Sequence, residues 1–182
     1  GEIVAKGQQK SGLLAKAAKE PLNAAERDLS SLLDQDLGAA NIALIAFLRE
    51  QEKQFAAGSR VAARTVEFRE AAGIKGALQK LGPDVVAIYT LVTPDRYIAM
   101  LVTSGASQAY VTAIKESELN AKVFEFRQRL QNPNLDPLPL ARELYRIVFP
   151  EGLRKDLDAA KAKTIMWSVD STLRYIPMAA LH

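Results

Sequence analysis

The sequence contains no cysteine and only one histidine, His182. The lack of cysteine excludes disulfides, thiolate metal sites and a cysteine nucleophile within these 182 residues. One imidazole is too few for a histidine-based metal site, because such sites combine several ligands. We therefore predict no metal and no cofactor.

A strong charge of one sign is also missing. The 24 Lys and Arg against 21 Asp and Glu give a net charge of +3, too small and too mixed to indicate nucleic acid or an anionic membrane as a partner. No apolar run approaches the roughly 20 residues that span a bilayer, and the chain does not open on a basic segment followed by an apolar one. We expect a cytoplasmic protein whose 48% hydrophobic content supports one packed domain plus an extension.

The first part of the chain has helical periodicity. Residues 1–12 are polar and contain glycine, so we expect them to be frayed. From Leu13 to Leu37, apolar residues recur at steps of three and four, which places them on one face of a helix. Proline removes a backbone donor, so we predict a break near Glu20, with Pro21 in the first turn of the next helix. The predicted face comprises Leu14, Ala18, Leu22, Ala25, Leu29, Leu32 and Leu33.

Two more helices are predicted before residue 82. Gly38 predicts an end, and Asn41 is a suitable N-cap for a second helix with Ile42, Ile45, Leu48 and Phe55 facing inward. Gly58 and Ser59 would end it. A third helix from Ser59 carries Val61, Ala62, Val66 and either Phe68 or Ala72 before interruptions at Gly73 and Gly76. The charges at Arg60, Arg64, Glu67 and Glu70 are typical of a solvated helix face.

At Gly82-Pro83-Asp84 the pattern changes to continuous apolar runs, so residues 1–81 are predicted as a helical arm and residues 82–182 as a second unit. Val85 to Val92 and Tyr97 to Val102 are strand candidates joined by the turn Thr93-Pro94-Asp95-Arg96. A third strand, Gln108 to Ala113, alternates more and is predicted at a sheet edge. Together they predict a three-stranded meander.

Helices follow the meander. The helix starting near Ser117 has its stripe at Leu119, Val123, Phe126 and Leu130, and Asn132-Pro133-Asn134 ends it. Asp136 can cap the next helix, whose stripe is Leu140, Leu144, Ile147 and Val148 up to Pro150. The apolar run from Thr164 reads as a buried core strand. This order predicts an α/β sandwich with a mixed sheet.

The segment SVDSTLRYIPMAAL, residues 168–181, resembles a signature of the CHAT family of caspase-like bacterial peptidases: a strand, a turn, then Leu-x-x-(Leu/Ile)-Pro, an aromatic or apolar residue, x and Ala-Leu. The family usually has Pro-Asp-Gly where this chain has Val169, Asp170 and Ser171, and Phe where Met178 stands. Residues 140–157 look like the helix that precedes this strand in the family, and residues 84–104 look like its opening hairpin. The resemblance covers the chain from about Leu81 onward.

The resemblance implies a caspase-like fold and, in the full-length protein, peptide-bond hydrolysis by a cysteine thiolate. In the family, the catalytic histidine, in a His-Gly context, and the catalytic cysteine lie further along than this signature. The sequence ends one residue after it and opens on Gly1 rather than methionine. We therefore expect a piece of a longer protein that lacks the catalytic half.

CHAT domains often follow tetratricopeptide repeats. Ala43 and Phe47 have one spacing of that repeat, but the Trp-x-x-Leu-Gly-x-x-Tyr half is missing and no 34-residue self-similarity occurs. The preferred interpretation of the arm is a helical hairpin or coiled coil that links upstream repeats to the peptidase-like unit.

The candidate chemical groups favour structural roles, and we predict no catalytic residue within the chain. His182 has no cysteine partner, and no Gly-x-Ser-x-Gly elbow surrounds the serines and threonine near the strand end. These are Ser168, Ser171 and Thr172, which we interpret as turn-capping residues. The carboxylate pairs Asp34 with Asp36 and Asp156 with Asp158 lie in polar stretches, which indicates solvated helix ends.

Glycines and aromatic residues are also interpreted structurally. Gly58, Gly73, Gly76 and Gly82 lack the strand–loop–helix setting of a phosphate-binding loop. The aromatic side chains could form a ligand-stacking platform, but their strand and helix spacing favours core packing, with Tyr175 and Arg174 partly exposed. They are Trp167, Tyr145, Phe149 and Tyr175.

Two functions remain open. The chain is either the first half of a caspase-like cysteine peptidase, gated by a protein partner through the helical arm, or a non-catalytic interaction domain that pairs through the arm or the edge strand Gln108 to Ala113. If the sheet continues into further residues, the Thr164 strand lacks a neighbour here. We then expect either a homodimer through that strand or a further part of the chain that covers it.

Overall fold

The computed structural model describes residues 1–54 and 59–181. Within these residues the chain forms seven α-helices and four β-strands. The helices α1 to α7 are Glu2–Ala17, Ala24–Lys53, Arg60–Ala71, Lys75–Leu81, Glu116–Gln131, Leu138–Val148 and Glu151–Ala159, and the strands β1 to β4 are Val85–Val92, Arg96–Val102, Ser107–Ala113 and Thr164–Ser168. Three short 3-10 helices are Ala72–Ile74, Ser171–Tyr175 and Met178–Ala180. The predicted α/β class is confirmed.

The strands form one mixed sheet in the order β3-β2-β1-β4 within the described residues. β1 and β2 are antiparallel, as are β2 and β3, so the predicted meander and the edge position of β3 are confirmed. β4 returns parallel to β1, with Ile88 beside Trp167. The helices between β3 and β4 supply the crossover that a parallel pair requires.

Both faces of the sheet are covered by helices. Side chains alternate along a strand, so β1 and β2 supply apolar groups to both faces. One face carries Ile88, Ala99 and Leu101 and packs with residues of α5, α6 and α7. The other face carries Leu91, Ile98 and Met100 and packs with Leu44 and Leu48 of α2, Val61 of α3 and Leu78 of α4. Helices α2, α3 and α4 of the predicted arm therefore form one layer of the sandwich, whereas Val4 of α1 belongs to the apolar cluster on the other face.

The N-terminal prediction was wrong, because helix α1 begins at Glu2 where fraying was expected. Val4 is fully buried in the core, and Gly7 lies against Gly105 in the turn between β2 and β3. A methyl group at Gly7 would lie 2.7 Å from Ala106 Cβ, so the absence of a side chain permits the close approach. The contacts of Val4 and Gly7 with the rest of the chain thus stabilise a helix whose own sequence is mainly polar.

The predicted break near Pro21 is confirmed, since α1 ends at Ala17 and α2 begins at Ala24. Pro21 itself lies in the connection rather than in the first turn of α2. Asn23 and Glu26 form a reciprocal cap: the Asn23 side chain accepts from the Glu26 N–H at 2.9 Å, and Glu26 accepts from the Asn23 N–H at 3.0 Å.

The predicted stop at Gly38 and N-cap at Asn41 were wrong, because α2 is continuous from Ala24 to Lys53. Leu33, Leu44 and Leu48 are buried along one side of the helix. A single glycine costs a helix only about 1 kcal/mol, which the burial of several leucines exceeds. The predicted apolar faces of the helices also included residues that are exposed in the structure. These are Leu14, Ala18, Ala25, Leu32, Ile42 and Leu130.

The later helices follow the prediction. Ser59 starts α3 with its hydroxyl accepting from the Ala62 N–H at 3.1 Å, and the 3-10 helix at Ala72–Ile74 marks the interruption at Gly73. Gly76, also predicted as an interruption, lies inside α4.

α5 ends at Gln131, and Asp136 accepts from the Leu138 N–H at 2.9 Å at the start of α6. The predictions for Phe55, Gly58 and His182, and for the side chains of Phe68 and Ala72, fall outside the described residues.

The strand at Thr164 is not a buried core strand, which corrects the sequence interpretation. β4 is an edge strand, and Met166 is 47% exposed. An apolar run in the sequence does not indicate whether a strand has one neighbouring strand or two. The number of neighbours depends on the order of strands in the sheet.

Candidate functional site

The candidate site lies at the carboxyl ends of the parallel pair β1 and β4. In open α/β sheets, ligands bind in crevices beside these ends. After Ser168 the chain leaves the sheet, and Asp170 lies beside the end of β1. The Asp170 N–H donates to Thr90 Oγ1 at 2.7 Å, and Asp170 Oδ2 accepts from the Val92 N–H at 3.0 Å. These two bonds hold the loop after β4 against β1.

Ser171 has φ +53°, the left-handed conformation that glycine adopts without strain. It begins the 3-10 helix Ser171–Tyr175, and the Thr172 hydroxyl donates to Asn120 Oδ1 of α5 at 2.6 Å. The loop is therefore tied to β1 on one side and to α5 on the other.

Two arginines of α3 reach the same strand ends. Arg64, 5% exposed, donates from Nε to the Thr90 carbonyl at 3.0 Å and from Nη2 to the carbonyl and the hydroxyl of Ser168. It also forms an ion pair with Glu67. Arg60, one helical turn earlier, forms ion pairs with Asp170 and Glu116.

The sequence interpretation of these charges as a solvated face was wrong for Arg64. Only the pairing of Arg64 with Glu67 could be anticipated from the sequence, since three-residue spacing brings opposite charges together on a helix. The acceptors at Thr90 and Ser168 lie far along the chain, so no local signal identifies them.

A cleft of about 450 Å³ opens between α3 and the loop after β4. Arg60, Arg64, Glu67 and Asp170 line one part of it, and Thr172 and Tyr175 another. Tyr175 is 64% exposed at the rim, with the Arg127 guanidinium 5.4 Å from its ring centre. The cleft combines guanidinium, carboxylate, hydroxyl and aromatic groups, which suits a polar ligand such as a peptide segment.

The other predicted residues lie away from the cleft. Asp34 and Asp36 of α2 form surface ion pairs with Lys10 and Lys6 of α1 at 2.6 and 2.7 Å, as expected for solvated carboxylates. Trp167, Tyr145 and Phe149 pack together, with ring centres 4.9 Å apart for Tyr145 and Phe149 and 5.4 Å apart for Phe149 and Trp167. The core interpretation of these three is confirmed.

Asp156 was expected to be a solvated helix end and is instead buried, whereas Asp158 is exposed as expected. The Tyr110 hydroxyl of β3 donates to Asp156, and the Gly1 amino group also contacts it. Burial raises the pKa of the Tyr110 phenol, which keeps it a hydrogen-bond donor. Asp156 therefore connects α7 to the sheet and lies apart from the cleft.

An apolar groove of about 450 Å³ lies on the opposite side of the sheet from α7, where α1 and α2 meet the edge strand β3. Its lining includes Ile3, Ala43 and Phe47 from the helices and Ala109 and Val111 from β3. Val111 is 49% exposed.

Comparison of the chain with protein-family models, curated proteins and solved structures gives no match. Among the described residues, no three His, Asp or Glu side chains are grouped as metal ligands. We therefore infer the function from the geometry of the cleft.

Proposed function

We propose that this chain is the first half of a caspase-like cysteine peptidase domain of the CHAT type. The observation that carries the proposal is the loop after β4. Ser171 has a left-handed backbone at the position where the family signature has the glycine of Pro-Asp-Gly, and Asp170 matches its aspartate. Glycine adopts this left-handed conformation without strain. The backbone of the loop therefore supports the match between Ser171 and the glycine of the family signature.

In this proposal the chain supplies the sheet and one wall of the substrate cleft. Peptide hydrolysis of this kind requires a thiolate nucleophile within hydrogen-bond reach of an imidazole. These residues contain no cysteine, so the His–Cys pair comes from further residues of a longer protein. β4 is an edge strand in the described residues, and a further strand can extend the sheet beside it.

The helices of the N-terminal layer are in a position to regulate the cleft. Arg60 and Arg64 belong to α3 but contact Asp170, Thr90 and Ser168 at the strand ends. A partner that moves α3 would therefore change the wall of the cleft directly. We propose that the activity of the peptidase depends on such a partner.

The test begins with the gene and the intact mass of its product. A continuation with a His-Gly motif and a later cysteine, labelled by a peptidyl acyloxymethyl ketone in the full-length protein, is the expected result. Replacing that cysteine with alanine should abolish both the labelling and the hydrolysis of fluorogenic peptides. A product that stops at His182, or a continuation without a cysteine, would overturn the proposal.

A non-catalytic interaction domain is the second candidate, favoured by the apolar groove beside β3. An edge strand offers unpaired backbone groups to an added strand, and the neighbouring groove can accept its apolar side chains. A gene product without the His–Cys pair that binds an extended peptide, with binding weakened by Val111→Lys, would support this function.

A further inference from the structure

The outer side of α2 carries exposed residues at the spacing of a helix–helix seam. Leu44 and Leu48 are buried against the sheet on the inner side. On the opposite side, exposed residues follow alternating steps of four and three, the heptad spacing at which two helices pair. These residues are Asp28, Leu32, Gln35, Ala39, Ile42, Ala46, Arg49 and Lys53.

The seam has an apolar middle and ends of opposite charge. Leu32 is 58% exposed and Ile42 is 70% exposed, and the exposed Ala39 and Ala46 add to this apolar surface, with Gln35 as its polar member. Asp28 lies at the N-terminal end of the seam, and Arg49 and Lys53 lie at its C-terminal end. The pattern is therefore complementary to a copy of itself that runs in the opposite direction.

We propose that α2 is the interface of an antiparallel homodimer, in which α2 of a second copy covers this seam. A two-fold axis between positions 40 and 41 sets Asp28 of one copy beside Lys53 of the other. The same axis sets Leu32 beside the aliphatic part of Arg49, and Ala39 beside Ile42. A parallel pair would instead bring Asp28 against Asp28 and Lys53 against Lys53.

Small residues at the centre permit close approach of the two helices. The position of a Cβ atom at Gly38 is open, because it meets no atom within 4 Å apart from the two chain neighbours and the backbone of the same helix. Gly38 and Ala39 together let the backbones come within the usual packing distance of about 8 to 10 Å. The glycine that wrongly predicted a helix end therefore has a role in this interface.

Sedimentation equilibrium over a wide concentration range tests the proposal. We expect the average mass to rise from 19.9 kDa towards twice that value with increasing concentration. Ile42→Glu should hold the protein at the monomer mass, because it places carboxylates in the apolar middle of the seam. Met166→Glu on the exposed face of β4 is the matched control and should dimerise like the unmodified chain.

Two results would overturn the proposal. One is a monomer at every concentration. The other is a dimer that Met166→Glu disrupts and Ile42→Glu does not, which would assign the interface to the β4 edge expected from the sequence. Circular dichroism of each variant verifies that the fold is retained.

The orientation of the helices can be measured separately. The chain has no cysteine, so Ser31→Cys gives a single site for a nitroxide label on the exposed side of α2. With a rise of 1.5 Å per residue, the antiparallel dimer places the two labels about 30 Å apart, against about 10 Å for a parallel pair. A short distance would overturn the antiparallel arrangement.

A membrane surface is the alternative occupant that the experiment must distinguish. By length and composition, α2 over Ala24–Gln51 could cross a bilayer. Flotation with phosphatidylcholine vesicles should leave the protein in the unbound fraction. Binding to the vesicles that Ile42→Glu abolishes, together with a monomer in solution, would replace the homodimer by a lipid contact.

Discussion

Asp170 is the residue on which the loop after β4 depends. It is 1% exposed, accepts from the Val92 N–H and forms an ion pair with Arg60. A buried carboxylate is tolerated only when its oxygens have such partners, and losing one partner of a buried pair leaves the other group uncompensated. The same residue therefore fixes the cleft wall and the end of the sheet.

Asp170→Asn should lower the free energy of unfolding by about 2 kcal/mol, less than for a fully buried pair because Arg60 is partly solvated. The matched control is Asp34→Asn, which removes an exposed ion pair with Lys10 and should cost less than about 1 kcal/mol. Urea unfolding of both variants measures the difference. Equal losses in the two variants would contradict the structural role assigned to Asp170.

Asp95 lies in the turn between β1 and β2, where two neighbouring side chains donate hydrogen bonds to its carboxylate. Hydrogen bonds from Arg96 and Thr93 lower the pKa of Asp95 from 3.8 to about 2. The charged form is thus favoured in the folded state, so its stabilisation is present above about pH 4 and is lost as the pH falls through about 2.

Carbon-13 NMR of the Asp95 carboxyl group measures this pKa directly, and an apparent value near 3.8 would contradict the contact. The stability difference between the unmodified chain and Asp95→Asn should be largest at pH 5 and should shrink towards pH 2. Because the pair is near the surface, added salt should reduce the difference.

Helix α1 is stabilised by contacts with residues far away in the chain rather than by an apolar pattern of its own. Its sequence is polar, yet Val4 is part of the core and Gly7 lies against the turn between β2 and β3. α2 is similar: its continuity through Gly38 follows from the burial of Leu33 and Leu44 on either side of the glycine. Neither contact can be read from the local pattern.

Gly7→Ala should destabilise the protein by about 1 to 3 kcal/mol, because its methyl group would lie 2.7 Å from Ala106 Cβ and 2.8 Å from the Gly105 carbonyl carbon. Gly12→Ala in the same helix meets open space and should stabilise by up to about 1 kcal/mol through helix propensity. Thermal unfolding of the pair measures both effects. A gain in both variants would show that α1 does not pack closely on the turn.

At the scale of the whole molecule, the sandwich has helices on both faces of one sheet. The sequence divides the chain at residue 82, and that division stays a prediction. Helices α2, α3 and α4, all before residue 82, cover Leu91, Ile98 and Met100 on one face of the sheet. Their removal would expose a contiguous apolar surface, which single folded units seldom carry.

We therefore expect a fragment of residues 82–182 to bind the dye ANS and to associate, while the full chain does neither to the same extent. Fluorescence with ANS and light scattering measure the two properties. A fragment that is monomeric, unfolds cooperatively and does not bind the dye would support two separable units, as the change of pattern at Gly82 suggests.

Local sequence patterns were sufficient to predict the three strands of the meander, the turn between β1 and β2, the helices α5 and α6, and the α/β class. These follow from local signals, because continuous apolar runs, the turn Thr93-Pro94-Asp95-Arg96 and helical stripes are complete within a few residues. Local signals also located the turn at Asp170 to Thr172, but the turn-capping role predicted for Thr172 was wrong, because its hydroxyl donates to Asn120 of α5.

The folded structure was needed to establish the ordering of α1, the continuity of α2, the edge position of β4 and the burial of Arg64 and Asp156. Each of these depends on a partner far away in the chain: Arg64 bonds to Ser168, and Asp156 to Tyr110. A charged side chain has the same local pattern whether it is solvated or buried against such a partner. The energy that separates the two states arises from contacts that exist only after the chain has folded.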